Sequence, residues 1–506
     1  MSPRRISIAL ILVTLVIAAV VAFAGAQPSR ASAPAQAADG KAIYTQRCEV
    51  CHGVEGDGNG PAAVNLDPRP RDFRRGWYKI RTTTSGQLPT DADLVQVISN
   101  GMPGTTMPDW KGVLTIDEIG AVSLYIKGFA RRFERETPAQ VEVGSKLASS
   151  PDSIARGRDI FAGQAAECVK CHGNAGRGDG PSADELTDDF DNVIVPADLS
   201  MPWLFRGGAT VDDIYRRLKT GLTGSPMPSY ADVLSGEQVW DVANYVDSLA
   251  PDAAPELSAA ITASRVQGAI STDANATEWQ SAAEYFYPLV GQIMREPRNY
   301  APSIKGVWVR ALYNDNELAL LLRWHDRFQD TGADGKPADA LAVEFPAQLP
   351  VGDERPYFVF GDAANPVNLW HWTAATNAIE ERTGTGVDSA SAQVTQSVQG
   401  AASFADGEYT LIARRALNTG DAADIRFEPG RFIPIAFIAW DGWRGEQEAA
   451  GAISSWNMIY LEQPVPITSY VWVPVAMIIA AVLEGLVVRA VRRATWPVTD
   501  DGRHHA

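Results

Sequence analysis

The chain has 506 residues, 61 acidic against 44 basic side chains, a formal charge of −17 and four cysteines. That length predicts three or four domains of ordinary size, and a composition of 45% apolar and 21% charged residues excludes an acidic disordered chain. The acidic balance, with no Lys/Arg-rich stripe away from the chain ends, also excludes nucleic acid as a partner, because the phosphate backbone would be repelled.

Residues Ile6 to Ala26 are almost wholly apolar, follow Arg4-Arg5 and finish in Ala24-Gly25-Ala26, a small-residue cleavage pattern. Residues 1–26 therefore read as an export signal, or as an N-terminal anchor if uncleaved. In an exported chain four cysteines would ordinarily pair into disulfides. Their spacing argues otherwise. The first pair reads CEVCH, Cys48 to His52, and the second CVKCH, Cys168 to His172, so every cysteine falls inside a CxxCH.

With four Cys and six His in 506 positions, one such pentapeptide is expected on the order of a few times in ten thousand shuffled chains. Thiols at i and i+3 share a face of a helical turn and can add to the two vinyl groups of a haem, while His at i+4 ligates the iron from the same face. Zinc would need a fourth Cys or His nearby, and neither motif has one. A thioredoxin-like reading lacks the βαβ pattern and leaves the trailing histidine unexplained.

An offset of 120 residues aligns both motifs and much that follows them. CHGVEGDGNGPAAVNL from Cys51 matches CHGNAGRGDGPSADEL from Cys171, and NGMPGTTMPDW from Asn100 faces TGLTGSPMPSY from Thr220. Met107 thus aligns with Met227, each 55 residues beyond its motif histidine and each before a proline in a Gly-rich loop. These two methionines are the candidate second axial ligands. Met102, whose counterpart is Leu222, reads as apolar packing. Helical patterns follow over Ile116 to Ala130 and Gly236 to Ala250, and each is expected to pack on its motif helix.

Residues 40–132 and 152–250 each resemble a class I cytochrome c domain. The resemblance implies a small all-α fold around one covalently bound haem c, attached through Cys48 and Cys51 in the first domain and Cys168 and Cys171 in the second. It implies His52 with Met107, and His172 with Met227, as axial pairs. A thioether ligand favours ferrous iron, so both haems should be fairly oxidising, and iron filled on both faces suits electron relay over catalysis.

Pro251 to Ala260 reads as a linker, and alternation then takes over. Val307, Val309, Ala311 and Tyr313 alternate with Trp308, Arg310 and Leu312, a turn at 314–317 leads into Leu318 to Trp324, and short strands recur at 341–345, 357–360, 367–372, 409–413 and 432–440. This spacing predicts an antiparallel β-sandwich over 256–465.

Within it, VWVRALYNDNELALLLRWHD (Val307 to Asp326), DALAVEFP (Asp339 to Pro346), FGDAANPVNLWHW (Phe360 to Trp372) and IAFIAWDG (Ile435 to Gly442) are similar to the haem-binding domain of ethylbenzene dehydrogenase and the gamma subunits of the type II dimethyl sulfoxide reductase family. The resemblance implies one b-type haem between a Met and a Lys, and exchange of electrons with a molybdenum enzyme through iron-sulfur clusters. The sequence departs from that pattern at the ligands. The methionine would fall near Val359 or Phe360, yet none occurs between Met294 and Met458, and no lysine follows Lys336. A haem b is therefore doubtful, His325 and His371 being the candidate substitutes, and a sandwich without haem would serve as a docking module.

Residues 469–488 form a second apolar run, long enough to cross a bilayer and followed by Arg489, Arg492 and Arg493, with Tyr470, Trp472 and Trp496 as an aromatic belt. The arginines place the C-terminus in the cytoplasm and the bulk of the chain on the periplasmic side. The leading functional reading is a membrane-anchored dihaem cytochrome subunit that is not itself an enzyme. It would pass electrons between molybdenum and iron-sulfur subunits of an oxidoreductase and a soluble or membrane carrier. The alternative is a redox or ligand sensor whose sandwich binds a small molecule.

Overall fold

The first repeat begins at Asp39, whose carboxylate accepts from Lys41 N and Ala42 N and caps the helix Gly40–Arg47. The computed structural model describes residues 38–494 apart from 67, 352, 353, 388 and 464–466, so the export segment 1–26 lies outside the described residues. In the first repeat the main helices are Gly40–Arg47, Asp91–Asn100 and Ile116–Lys127; in the second they are Pro151–Ala162, Val211–Thr220 and Gly236–Asp247. The last two of each set begin with a capping box: Thr90 with Asp93, Thr115 with Glu118, Thr210 with Asp213, Ser235 with Gln238.

The C-terminal helix of each repeat packs on the helix before the motif, not on the motif turn as expected. The reason is a glycine at each crossing. A Cβ on Gly40 would lie 2.1 Å from the Ala121 carbonyl oxygen, and one on Gly157 would lie 2.0 Å from that of Asp241. The motif helices Glu49–His52 and Val169–His172 are single turns, too short to offer a packing stripe. Tyr44 against Tyr125 (ring centroids 5.2 Å apart) and Phe161 against Tyr245 (5.2 Å) complete the two crossings.

Beyond the linker, strands fold into two facing layers. One contains Gln399–Ala405, Glu408–Ala416, Glu317–His325 and Gly306–Tyr313; the other contains Asn457–Leu461, Phe432–Trp440, Ala340–Pro346, Val367–Thr373 and Ala378–Gly384. The strand Ala260–Arg265 joins them and runs parallel to both Asn457–Leu461 and Gly306–Tyr313. The sheet is therefore mixed, a correction to the antiparallel expectation. Period-2 alternation is the same for either strand direction, so the pattern carried no orientation signal.

Alternation does place the core. Leu318, Leu320, Leu322 and Trp324 point between the layers with Val343, Phe345, Trp370 and Phe437, while Ala319 and Leu321 face outward under Trp279. The segment 357–360, expected as a strand, ends in a turn instead. Asp362 accepts from the backbone N–H groups of Tyr357, Ala364 and Asn365, and Phe360 and Gly361 take φ of 60° and 68°, which closes the chain on itself.

The C-terminal helix spans Ile467–Ala494, and its window Trp472–Val491 has a mean hydropathy of 2.0 with no share of it buried. It is long and apolar enough to cross a bilayer and fits a membrane anchor.

Candidate functional site

The two CxxCH turns repeat one geometry. Cys51 N donates to Cys48 O (3.1 Å) and His52 N to the same carbonyl (2.9 Å); in the second repeat the distances are 3.2 Å for Cys171 and 2.8 Å for His172, both to Cys168 O. Each turn stops at a glycine of positive φ, Gly53 (80°) or Gly173 (73°). The chain then folds back so that Gly58 N donates to His52 O, and Gly178 N to His172 O, each at 2.9 Å.

Each imidazole is oriented by a backbone carbonyl. His52 Nδ1 lies 3.1 Å from Arg71 O, and His172 Nδ1 lies 3.0 Å from Ala197 O. A proton on Nδ1 satisfies that contact and leaves the Nε2 lone pair for a metal. Burial lowers the pKa of both histidines and so favours the neutral, ligating form. Burial pushes the Cys48 and Cys168 thiols up to about 11.

The methionine loops are equally alike. Met102 N donates to Met107 O (3.0 Å), and Leu222 N to Met227 O (3.1 Å). Gly101 and Gly221, with φ of 63° and 59°, sit where a Cβ would come within 2.5 Å of the Pro108 carbonyl carbon and 2.7 Å of that of Pro228. Met227 packs against the core cluster that includes Cys168. In the first repeat Trp110, three residues past Met107, joins Cys48 around the corresponding cluster.

The chemistry of this donor set fits haem. Among the described residues neither CxxCH brings three ligand atoms within 4.8 Å of one another, so thiols and imidazole do not converge on a single ion as a zinc site requires. Buried Tyr78 Oη and Trp110 Nε1 have no partner within the described chain, and such donors suit the acidic edge of a porphyrin.

In the sandwich the corresponding positions are placed differently. Val359 and Phe360, at the implied methionine position, are buried in an apolar cluster, with Phe360 stacked on Trp440 at 6.2 Å. His325 is engaged by Asp198 (2.7 Å) and Glu408 (3.4 Å). His371 sits beside Trp440, 5.5 Å away between ring centroids, and burial lowers its pKa to about 4. The two histidines thus differ: His325 is held by two carboxylates, whereas His371 Nδ1 is buried with no hydrogen-bond partner among the described residues.

Contacts that sequence reasoning missed join the units. Arg81, almost fully buried, donates to Thr220 O (2.9 Å) across the two repeats. Asp184 of the second repeat accepts from Arg327 (3.0 Å), Trp443 (3.2 Å) and Arg444 (3.2 Å) of the sandwich. Trp203 of the second repeat also packs on Phe286 (5.2 Å) and Trp308 (6.5 Å).

Residues 35–126 and 152–246 match the family model described as cytochrome c oxidase, cbb3-type, subunit III, and that match implies haem. The chain is 26% identical over 180 residues to a Haloferax mediterranei protein named for a respiratory nitrate reductase haem subunit, an alignment covering 35% of this chain and 64% of that one. It is 26% identical over 147 residues to the chlorate reductase gamma subunit of Ideonella dechloratans, covering 29% and 60%. The chain thus spans less than two thirds of the length of these relatives. Among solved structures, a chain of the Kuenenia stuttgartiensis reducing HAO-like protein complex Kustc0457/Kustc0458 is 44% identical, over 42% of this chain and 96% of that one, with a TM-score of 0.40.

Proposed function

We propose that the protein is a membrane-anchored dihaem c-type electron-transfer subunit of an exported oxidoreductase. The observation that carries this reading is the duplicated site: two CxxCH turns, each with its imidazole Nδ1 on a backbone carbonyl and each followed by a glycine-hinged methionine loop. Bound haem supplies one-electron exchange at each site. Cys48, Cys51, Cys168 and Cys171 would hold it covalently, and His52, Met107, His172 and Met227 would fill both axial positions, which suits relay over substrate chemistry.

The domains are 40–132, 152–250 and 256–465. The sandwich is the docking module for molybdenum and iron-sulfur subunits, in keeping with relatives named as haem or gamma subunits of reductases. Trp203 of the second repeat and Phe286, Trp308 and His325 of the sandwich line the boundary between them, and His325 reaches Asp198, next to the Ala197 carbonyl that holds His172. The helix Ile467–Ala494 anchors the chain, with the arginines beyond Val488 on the cytoplasmic side and the haems in the periplasm.

The test is purification of the native chain in mild detergent. Two c-type haems per chain by pyridine haemochrome, with large molybdenum and iron-sulfur subunits co-purifying, is the expected result. A chain without covalent haem, or one isolated alone under several mild conditions, would overturn the reading.

A further inference from the structure

Three aspartates meet at the end of the sandwich that faces the second repeat. Asp326 follows the strand Glu317–His325, Asp339 precedes Ala340–Pro346, and Asp441 follows Phe432–Trp440. Their relative exposures are 5%, 0% and 3%, and one carboxylate oxygen of each lies within 4.8 Å of the others. Oxygens bound to one calcium ion at 2.3–2.6 Å are separated by at most about 5 Å, so this spacing is that of a shared hard cation.

Hydrogen bonding separates a cation from a shared proton as the occupant. Asp339 accepts on both oxygens, from Tyr409 Oη (2.7 Å), Asp330 N (2.7 Å) and Gly442 N (2.8 Å), the pattern of a carboxylate and not of an acid. Asp441 accepts from Ser303 Oγ and Arg444 N. Among the described residues Asp326 accepts only from Phe328 N, at 3.3 Å, and its Oδ2 is buried with no partner. The lone pairs of that oxygen are therefore left without a donor in the buried site. Asp330, nearby in the same loop, has a second buried oxygen without a partner.

We propose that Asp326, Asp339 and Asp441 form a calcium site that braces the sandwich against the second repeat. Asp326 is adjacent to Arg327, and Asp441 shortly precedes Trp443 and Arg444; these three neighbours are the side chains that grip Asp184. Binding therefore fixes the two loops that hold the interface. Without it, burial, with repulsion from neighbouring carboxylates including Asp330, raises all three, Asp339 to about 6. The inference is independent of the haem assignment.

The experiment uses the full haem-loaded chain in detergent, stripped with chelator and titrated with calcium chloride. Calorimetry should show one saturable ion per chain, with a calcium-dependent rise in melting temperature and slower proteolysis between the second repeat and the sandwich. Asp326→Asn and Asp441→Asn should each weaken binding at least about tenfold. Asp326→Asn should melt no lower than wild type in chelator, since it removes a repelling charge. No saturable calcium binding by the wild-type chain overturns the proposal, as does unchanged binding in either variant.

Discussion

His325 Nδ1 lies 2.7 Å from Asp198 Oδ2, and Asp198 directly follows Ala197, the residue whose carbonyl orients His172. A sandwich side chain thus grips the loop that orients the candidate ligand His172 of the second repeat. Burial alone would pull the His325 pKa down, but hydrogen bonds to Asp198 and Glu408 outweigh it and the pKa is raised. Burial pushes Asp198 up, and His325 and Ser200 bring it below its usual value. A raised histidine contributes stability that is complete below its unfolded pKa near 6.5 and is lost as pH rises through the folded value. The depressed aspartate contributes above its unfolded pKa near 4 and loses that as pH falls.

The docking of the sandwich on the second repeat should therefore be strongest between those limits and weaken by about 1 kcal/mol as pH climbs past the raised His325 value, the difference between a charged and a neutral hydrogen bond. Proteolysis within 251–259, followed from pH 6 to 9, measures it. In His325→Gln the rate should be flat over this range.

The methionine loops give the second prediction. Met107→Ala and Met227→Ala should each lower the potential of one haem and open one iron to carbon monoxide, read by redox titration and difference spectra. Gly101→Ala should act on the first site through the backbone, because φ of 63° and a Cβ 2.5 Å from Pro108 both oppose it. A loss of about 1–3 kcal/mol in the stability of that loop, without change at the second haem, is the expected outcome.

The CxxCH turns of the candidate sites were legible because they are a local spacing, so Cys48, Cys51 and His52 are neighbours in the chain as well as in space. The likeness of the Met107 and Met227 loops was legible through the repeat alone. The carbonyls of Arg71 and Ala197 were not. They stand 19 and 25 residues from their histidines, and a backbone acceptor has no residue-type signature. The same holds for Asp326, Asp339 and Asp441, which only the register of three separate strands brings together. The direction of the strand Ala260–Arg265 was hidden because alternation is blind to it.

The helix crossings provide a third prediction. Gly157→Ala would drive a Cβ to 2.0 Å from Asp241 O and 2.8 Å from Tyr245 Cβ, so the helices must separate. A cost of about 1–3 kcal/mol is expected, seen as a lower melting temperature and reduced haem content in the second repeat. Gly485→Ala, in the apolar helix with no atom within reach, is the neutral control.

Arg415 tests the sandwich core. Its side chain is fully buried, with Nη1 3.1 Å from Asn368 Oδ1 and 3.4 Å from Glu381 Oε1, while Glu381 Oε2 accepts from Ser397 N and Oγ at 2.9 and 2.8 Å. Burial lowers the Arg415 pKa, and Asp424 and Glu381 oppose that shift. Arg415→Met strands a buried carboxylate and should cost about 3–5 kcal/mol in chemical denaturation. Pairing it with Glu381→Gln should recover part of the loss, since the penalty lies mostly in the uncompensated charge and not in a lost attraction.

Removal of residues 463–506 separates anchoring from redox function. The described side chains of the helix Ile467–Ala494 are largely exposed, so the sandwich does not depend on them for its core. The strand Asn457–Leu461 must be kept, because it pairs with both Ala260–Arg265 and Phe432–Trp440 and carries the buried Ile459 and Leu461. The truncated chain should leave the membrane fraction while its haem spectrum and melting temperature stay at wild-type values. Retention in the membrane would assign attachment to another segment or to a partner, whereas loss of the haem spectrum would mean that the helix helps the chain to fold and does not merely tether it.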